Sequence, residues 1–344
     1  MDRETTTKLA AAGFTLLEMM ISLVILSIVG AVMMYGLMQL TNTQGSITNR
    51  TEMHAGIRSA TELLQQEVGQ AGRISLPATV TLTAAATASS SPESVTVSST
   101  AGMYLGMYLD VLPDTASSSN YETVQLTGVT SATNTITAAS FSFSHISGAQ
   151  ITVSGSIGPG IIPPAALNYT SPNCPSGTVT PTTYTAYTYG STCNTLKMLG
   201  DFNGTGSIEY IEYSCVPGTS SSPGYLYRNV ISNPLTAASK PSVSVSMVLL
   251  NNLLPNPSGT PCFSYQTAVG QSGTTYVLDV AVTLTVQTGQ EDPQTHLFQQ
   301  ETKALLNVSP RNTFYAWELD TSVAHSLERI QPIPPSITSN LLNP

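Results

Sequence analysis

Apolar residues run almost unbroken from Phe14 to Leu40, beginning in the stretch "GFTLLEMMISLVILSIVGAVMMYGL" that starts at Gly13. About 20 apolar residues at 1.5 Å each cross the hydrocarbon core of a bilayer, so this run predicts a membrane-spanning helix. Beyond Leu40 the apolar positions thin to Met53, Ile57, Ala60, Leu64, Val68 and Ala71, while Arg50, Glu52, Arg58, Glu62 and Glu67 fall mostly on other faces. Steps of three and four residues predict that the helix continues as an amphipathic one, with a single stripe to pack on something. Gly69 and Gly72 weaken its last turns and Pro77 bounds it.

After Pro77 the period falls to two. The segments Thr79–Thr83, Ser94–Ser98, Thr123–Thr127, Gln150–Gly155, Ser207–Cys215, Tyr225–Ile231, Ser242–Leu250 and Tyr276–Val286 alternate apolar with polar, the pattern of half-buried antiparallel strands. Ser/Thr/Gly/Pro-rich loops separate them, and no fixed-period repeat is visible. The fold class predicted is α+β: a long N-terminal helix, transmembrane then amphipathic, packed on an antiparallel β-sheet with large loop insertions. Its expected divisions are a leader at 1–13, the membrane half of the helix at 14–40, the amphipathic half at 41–76, a β-rich body at 77–315 and a tail at 316–344. In that tail Phe314 to Leu319 is expected to pack on the body, and residues after about 330 to be mobile.

Composition narrows the setting of the body. Only 9% of the 344 residues are charged, against about 25% in typical globular domains, so the polar positions are mostly hydroxyls. A net charge of −9 argues against a generally cationic nucleic-acid binder. Catalysis has little support: there is no G-x-S-x-G, H-E-x-x-H, Walker A or G-x-G-x-x-G stretch. No enzyme activity is expected and no cofactor is required.

One carboxylate, Glu18, interrupts the apolar run near its start, where an ionised group costs free energy and usually has a partner. A short polar leader with Arg3 and Lys8, then Gly13, Phe14 and Glu18, then uninterrupted apolar sequence, resembles the N-terminal signal of type IV prepilins and type II secretion pseudopilins. The resemblance implies that a prepilin peptidase cuts between Gly13 and Phe14 and methylates the new N-terminus at Phe14. It also implies an assembly role for Glu18. Phe14 and Glu18 lie about 6 Å apart along a helix axis, so a subunit shifted by one turn can bring its Glu18 to a neighbour's cationic N-terminus. A proline that many major pilins carry about twenty residues into this helix is absent; Tyr35 and Gly36 stand there.

Downstream, "EYIEYSC" followed by "LYRNV", and the long strand "YVLDVAVTLTV" followed by "QQETKALLNVSPRN", resemble the PilW-type minor pilins. Pseudopilin J of type II secretion shares the outline and is the nearest alternative; a pilus-tip adhesin is another. The implied partners are other minor and major pilins, the prepilin peptidase and the inner membrane, with the leader cytoplasmic. The body would be periplasmic and later part of a cell-surface pilus.

Four cysteines, Cys174, Cys193, Cys215 and Cys262, all lie after the helix. An exported body implies an oxidising compartment where they pair. Of three connectivities, short-loop closure favours Cys174–Cys193 with Cys215–Cys262. The stretch "DFNGTGSIEYIE" matches most of the twelve-residue calcium loop: Asp201, Asn203, Thr205, the Ser207 carbonyl and Glu212 would be the oxygen ligands, with Gly206 at the sharp turn. A strand pattern follows it instead of an exiting helix. Two readings therefore stay open, a weak calcium site of about 10⁻⁴ M affinity and a bare Asp/Asn/Gly turn.

Overall fold

A computed structural model describes residues 15–164, 190–322 and 327–342. It is an α+β structure: a long apolar N-terminal helix, α1 (Leu16–Gln70), and antiparallel sheets. The chain divides into two compact units, Met1–Glu52 with Thr288–Gln299, and Met53–Gln287 with Gln300–Pro344. In the first, the apolar side chains of α1 from Leu16 to Leu40 are exposed, and the segment Thr288–Gln299 is held against the helix by hydrogen bonds at Ser46 and Arg50.

The second unit contains two antiparallel sheets. The smaller consists of β1 (Val80–Thr81), β2 (Glu93–Thr96), β3 (Tyr108–Val111), β4 (Glu122–Thr130), β5 (Thr135–Ala138) and β6 (Gln150–Thr152), in the order β1-β6-β3-β4-β5-β2. A short β7 (Ser156–Ile157) leads out of it. The larger sheet contains β8 (Thr195–Gly200), β9 (Glu209–Val216), β10 (Gly224–Ile231), β11 (Val248–Leu254), β12 (Phe263–Val269), β13 (Thr275–Gln287) and β14 (Gln300–Val308). β13 is long enough to pair with β12 along its first half and with β14 along its second.

Alternation explains how the larger sheet serves two layers. Ile211, Tyr213 and Cys215 of β9 point to the face that receives Ile57, Ala60, Leu64 and Val68 of α1. Tyr210, on the alternate set of positions, belongs to the other core, with Leu109, Val124, Ile136 and Ile151 of the smaller sheet. Five of the eight residues of β9 in succession are buried, because one face meets the helix and the other the smaller sheet.

In the two main sheets, β3, β5, β8 and β12 have no counterpart among the expected strands. β3 and β5 are only four residues long. β8 is buried on both faces, so its polar and apolar positions do not alternate. β12 alternates only from Phe263 to Gln266, a short span for a period of two. Conversely, the expected strand at Ser242–Leu250 begins later: β11 starts at Val248, after a 3₁₀ turn at Val245–Met247 that leaves Val245 88% exposed. Alternation without a neighbouring strand to pair with does not make a strand.

The tail departs from expectation. α2 (Arg311–Thr321) is followed by β15 (Ile330–Gln331), which pairs in parallel with β7, and by α3 (Pro335–Asn340). Contrary to the expected mobility, residues 331–342 are packed. Gln331 is fully buried; its Oε1 accepts from the Tyr108 N–H at 2.9 Å, and its Nε2 donates to the carbonyls of Tyr108 and Ser154. Ile337, Leu341 and Leu342 close the core of the smaller sheet. The prolines suppress regular periodicity, but the isolated apolar residues are anchors.

Cys215 of β9 and Cys262, just before β12, form a disulfide across 47 residues of sequence. In the chain-entropy account, closing a loop of that size stabilises the fold by about 2–4 kcal/mol. Cys215→Ala/Cys262→Ala is therefore expected to lower the stability of the oxidised protein by that amount, measured as a shift of the denaturation midpoint against the parent.

Candidate functional site

At its start, α1 is closed by its own residues. Glu18 Oε2 accepts hydrogen bonds from the Thr15 backbone N–H and hydroxyl, both at 2.9 Å, while the Thr15 hydroxyl accepts from the Glu18 N–H at 3.3 Å. "TLLE" is thus a capping box, a Thr followed three residues later by a Glu, which satisfies helix N–H groups that have no intrahelical partner. The sequence carries this signal as Thr15 with Glu18 three residues on. Gly13 and Phe14 lie outside the described residues.

The second half of α1 is held by apolar contact and by an ion pair whose carboxylate is buried. Ile57, Ala60, Leu64, Val68 and Ala71 are at most 1% exposed against the larger sheet. One helical turn from Leu64, the Glu67 carboxylate is clasped by the Arg228 guanidinium from β10 and by the Tyr213 hydroxyl from β9. Burial, and next the Glu67 carboxylate beside it, push the Tyr213 phenol up. Glu209 stands close to this group. Burial raises its carboxyl above the ordinary range; Arg228 opposes the rise, and Asp201 and Glu67 add to it.

Of the proposed calcium ligands, the structure brings together Asp201, Asn203 and Thr205 and leaves Glu212 elsewhere. Asp201 is fully buried, and its oxygens accept from the Ser75 hydroxyl at 2.6 Å and from the N–H groups of Thr205 and Gly206 at 2.9 and 3.0 Å. Asn203 Oδ1 accepts from the Thr205 N–H and hydroxyl. Gly206 has φ +82°, and a Cβ there would meet the Leu76 carbonyl carbon at 2.3 Å, so only glycine fits the turn.

Ser207 follows as the chain straightens into β9, which carries Glu212 away. Glu212 instead accepts from Lys240 Nζ at 3.0 Å and from the Tyr210 hydroxyl at 2.5 Å. The five residues are not gathered as a cation shell; the hydrogen bonds are those of the bare turn, which ties Ser75, just after α1, to the start of β9. Among the described residues, no three His, Cys, Asp or Glu side chains are grouped as metal ligands. Of the other predicted pair, Cys193 is disulfide-bonded, and Cys174 lies outside the described residues.

The model of the prokaryotic N-terminal methylation motif matches residues 8–34. The chain is pilin-like at its N-terminus. The match takes in Gly13, Phe14, Glu18 and the first part of the apolar run, and supports a type IV pilin- or pseudopilin-like subunit that prepilin peptidase processes and that assembles with other pilins. The motif and the exposed apolar helix fit anchoring in the inner membrane before assembly. No curated protein and no solved structure matches the chain.

Two outcomes follow for the soluble body. Asp201→Ala strands the Ser75, Thr205 and Gly206 donors and is expected to destabilise by about 1–3 kcal/mol. A turn held by protein donors shows the same loss in calcium and in chelator, checked by paired thermal melts. For Glu209, a raised folded pKa means that the folded state binds more protons than the unfolded one between the ordinary carboxylate pKa and the raised value. Its contribution to stability therefore falls as pH rises through that window. Glu209→Gln is expected to raise the melting temperature at pH 7, with the gain vanishing in acid below the ordinary glutamate pKa.

Proposed function

We propose that the chain is a minor type IV pilin of the PilW kind, trimmed after Gly13, N-methylated on Phe14 and assembled at low copy to prime or cap the fibre. The observation that carries this reading is the exposure of the whole apolar half of α1, following a prepilin-type motif with Glu18 in place. Among the described residues nothing packs on its side chains from Leu16 to Leu40, so lipid or the helices of other subunits are the natural cover. The bulk of the body supports a low-copy role. Along the chain, a six-stranded sheet is inserted between α1 and the larger sheet that α1 packs on, volume that a densely repeated subunit would have to accommodate at every step. The nearest alternative, a type II secretion pseudopilin of the J kind, rests on the same N-terminal features. A deletion strain separates the two: loss of surface fibres supports the pilus reading, and loss of enzyme secretion the other.

The capping box makes the role of Glu18 testable in two parts. Glutamine can replace glutamate in such a box, so Glu18→Gln keeps the cap and removes the charge. Glu18→Gln and Glu18→Ala are both expected to be inserted and processed but to be depleted from sheared fibres, measured by immunoblot against the membrane fraction. Wild-type incorporation of Glu18→Gln would show that the carboxylate acts only as a cap.

A further inference from the structure

The loop Thr288–Gln299 between β13 and β14 is folded onto α1 just past the end of its apolar run. Asp292, 6% exposed, accepts from the Ser46 hydroxyl at 2.7 Å and from Gln299 Nε2 at 2.6 Å on one oxygen, and from the N–H groups of Gln294 and Thr295 on the other. Arg50 bonds the Gln299 side-chain oxygen. Gly45 leaves room for Pro293, whose ring carbon would lie 3.3 Å from a Cβ at that position. Within the loop, the Asp292 N–H donates to the Leu297 carbonyl and the His296 N–H to the Asp292 carbonyl, closing a tight turn. Gln294 reaches Thr43 at 3.4 Å, so the turn extends toward the apolar end of the helix. Leu297, on this turn, is 67% exposed.

The position of the turn along the helix determines what it meets. At 1.5 Å per residue, Thr43 and Ser46 lie about 4.5 and 9 Å beyond Leu40. A headgroup layer is about 5–8 Å deep on each side of the hydrocarbon, so the turn stands at that level. From the other end, Glu18 to Thr43 spans about 37 Å of helix, between the thickness of the hydrocarbon core and that of the whole bilayer, about 30 and 40–45 Å. When the charge at Glu18 sits in one headgroup layer, the loop sits in the other.

We propose that Thr288–Gln299 is a lipid-contacting collar: clasped to α1 through Asp292 and Ser46, it rests in the outer headgroup layer with Leu297 at the acyl boundary, and so limits how deeply the helix is embedded before assembly. The proposal rests on the membrane-anchored reading of α1.

The test uses the full-length protein in bilayers, with tryptophan placed at single sites. Trp317, the sole tryptophan, is changed to Phe; where that weakens folding, it is retained and its signal subtracted. Leu297→Trp is expected to emit to the blue of its position in water. It should be quenched more by lipids brominated near the glycerol end of the acyl chain than by lipids brominated near the methyl end, and Ile28→Trp should show the reverse order. Adding Asp292→Ala should abolish quenching at position 297 and leave that at position 28 unchanged. Water-like, unquenched emission from Leu297→Trp alongside a quenched Ile28→Trp overturns the collar alone. If Ile28→Trp is unquenched as well, the membrane-anchored reading falls, and the collar with it.

Discussion

One face of the larger sheet is arranged around the seat of the second half of α1. Five residues at most 1% exposed, Ile57, Ala60, Leu64, Val68 and Ala71, form one stripe, and the larger side chains among them contribute about 1.5–3 kcal/mol each by leaving water. Glu67 adds little net free energy by that route, since a buried ion pair roughly repays its own desolvation. Its effect is on choice: rotating this half-helix by one position would leave the Glu67 carboxylate buried without the half-buried Arg228 that pairs with it, an unpaired charge that burial makes costly. The pair therefore sets which face of the helix meets the sheet, and the apolar stripe supplies the adhesion.

The other face of the same sheet carries a second set of polar groups, and burial is what makes them matter. Lys197, Glu212 and Asn229 are directly opposed across β8, β9 and β10, and all are buried. Burial pushes the Lys197 ammonium down to about 8, with Glu212 resisting the shift and Lys240 adding to it. In the smaller sheet, His145 is buried between Asp114 and Glu122, with one ring nitrogen 3.2 Å from the first carboxylate and the other 2.9 Å from the second. With so few charged residues in the chain, several are spent inside it, where each tie joins segments far apart in sequence.

The helix was legible because its signals are long and local. The 3.6-residue stripe from Ile57 to Ala71 and the unbroken run to Leu40 are each sampled over several turns, so neither needed tertiary information. β9, β10 and β13 were legible for the same reason at period two. What failed to show is what depends on contacts between distant residues. β8 reads poorly because both its faces are covered, and the tail because Gln331 is anchored by Tyr108 and Ser154, more than 170 positions away. The turn at Asp201 was legible as chemistry but not as geometry: its residue types suit a cation, yet Ser75, Thr205 and Gly206 supply the donors, and β9 carries Glu212 to Lys240. The clasp of Asp292 on Ser46 had no sequence signal at all, since it joins residues 246 positions apart.

Glu18 shows how one carboxylate can meet two demands. In the isolated chain, Oε2 receives both Thr15 bonds, so the charge is partly satisfied at the point where α1 enters an apolar environment. A carboxylate offers about four acceptor sites over its two oxygens, and the cap uses those of Oε2. Among the described residues Oε1 accepts no hydrogen bond, and the Glu18 side chain is exposed. A cationic N-terminus from a neighbouring subunit can approach Oε1 without displacing Thr15. The cap and the proposed intersubunit pair are therefore compatible, and assembly need not first uncover a charge in a medium where an uncovered charge is costly.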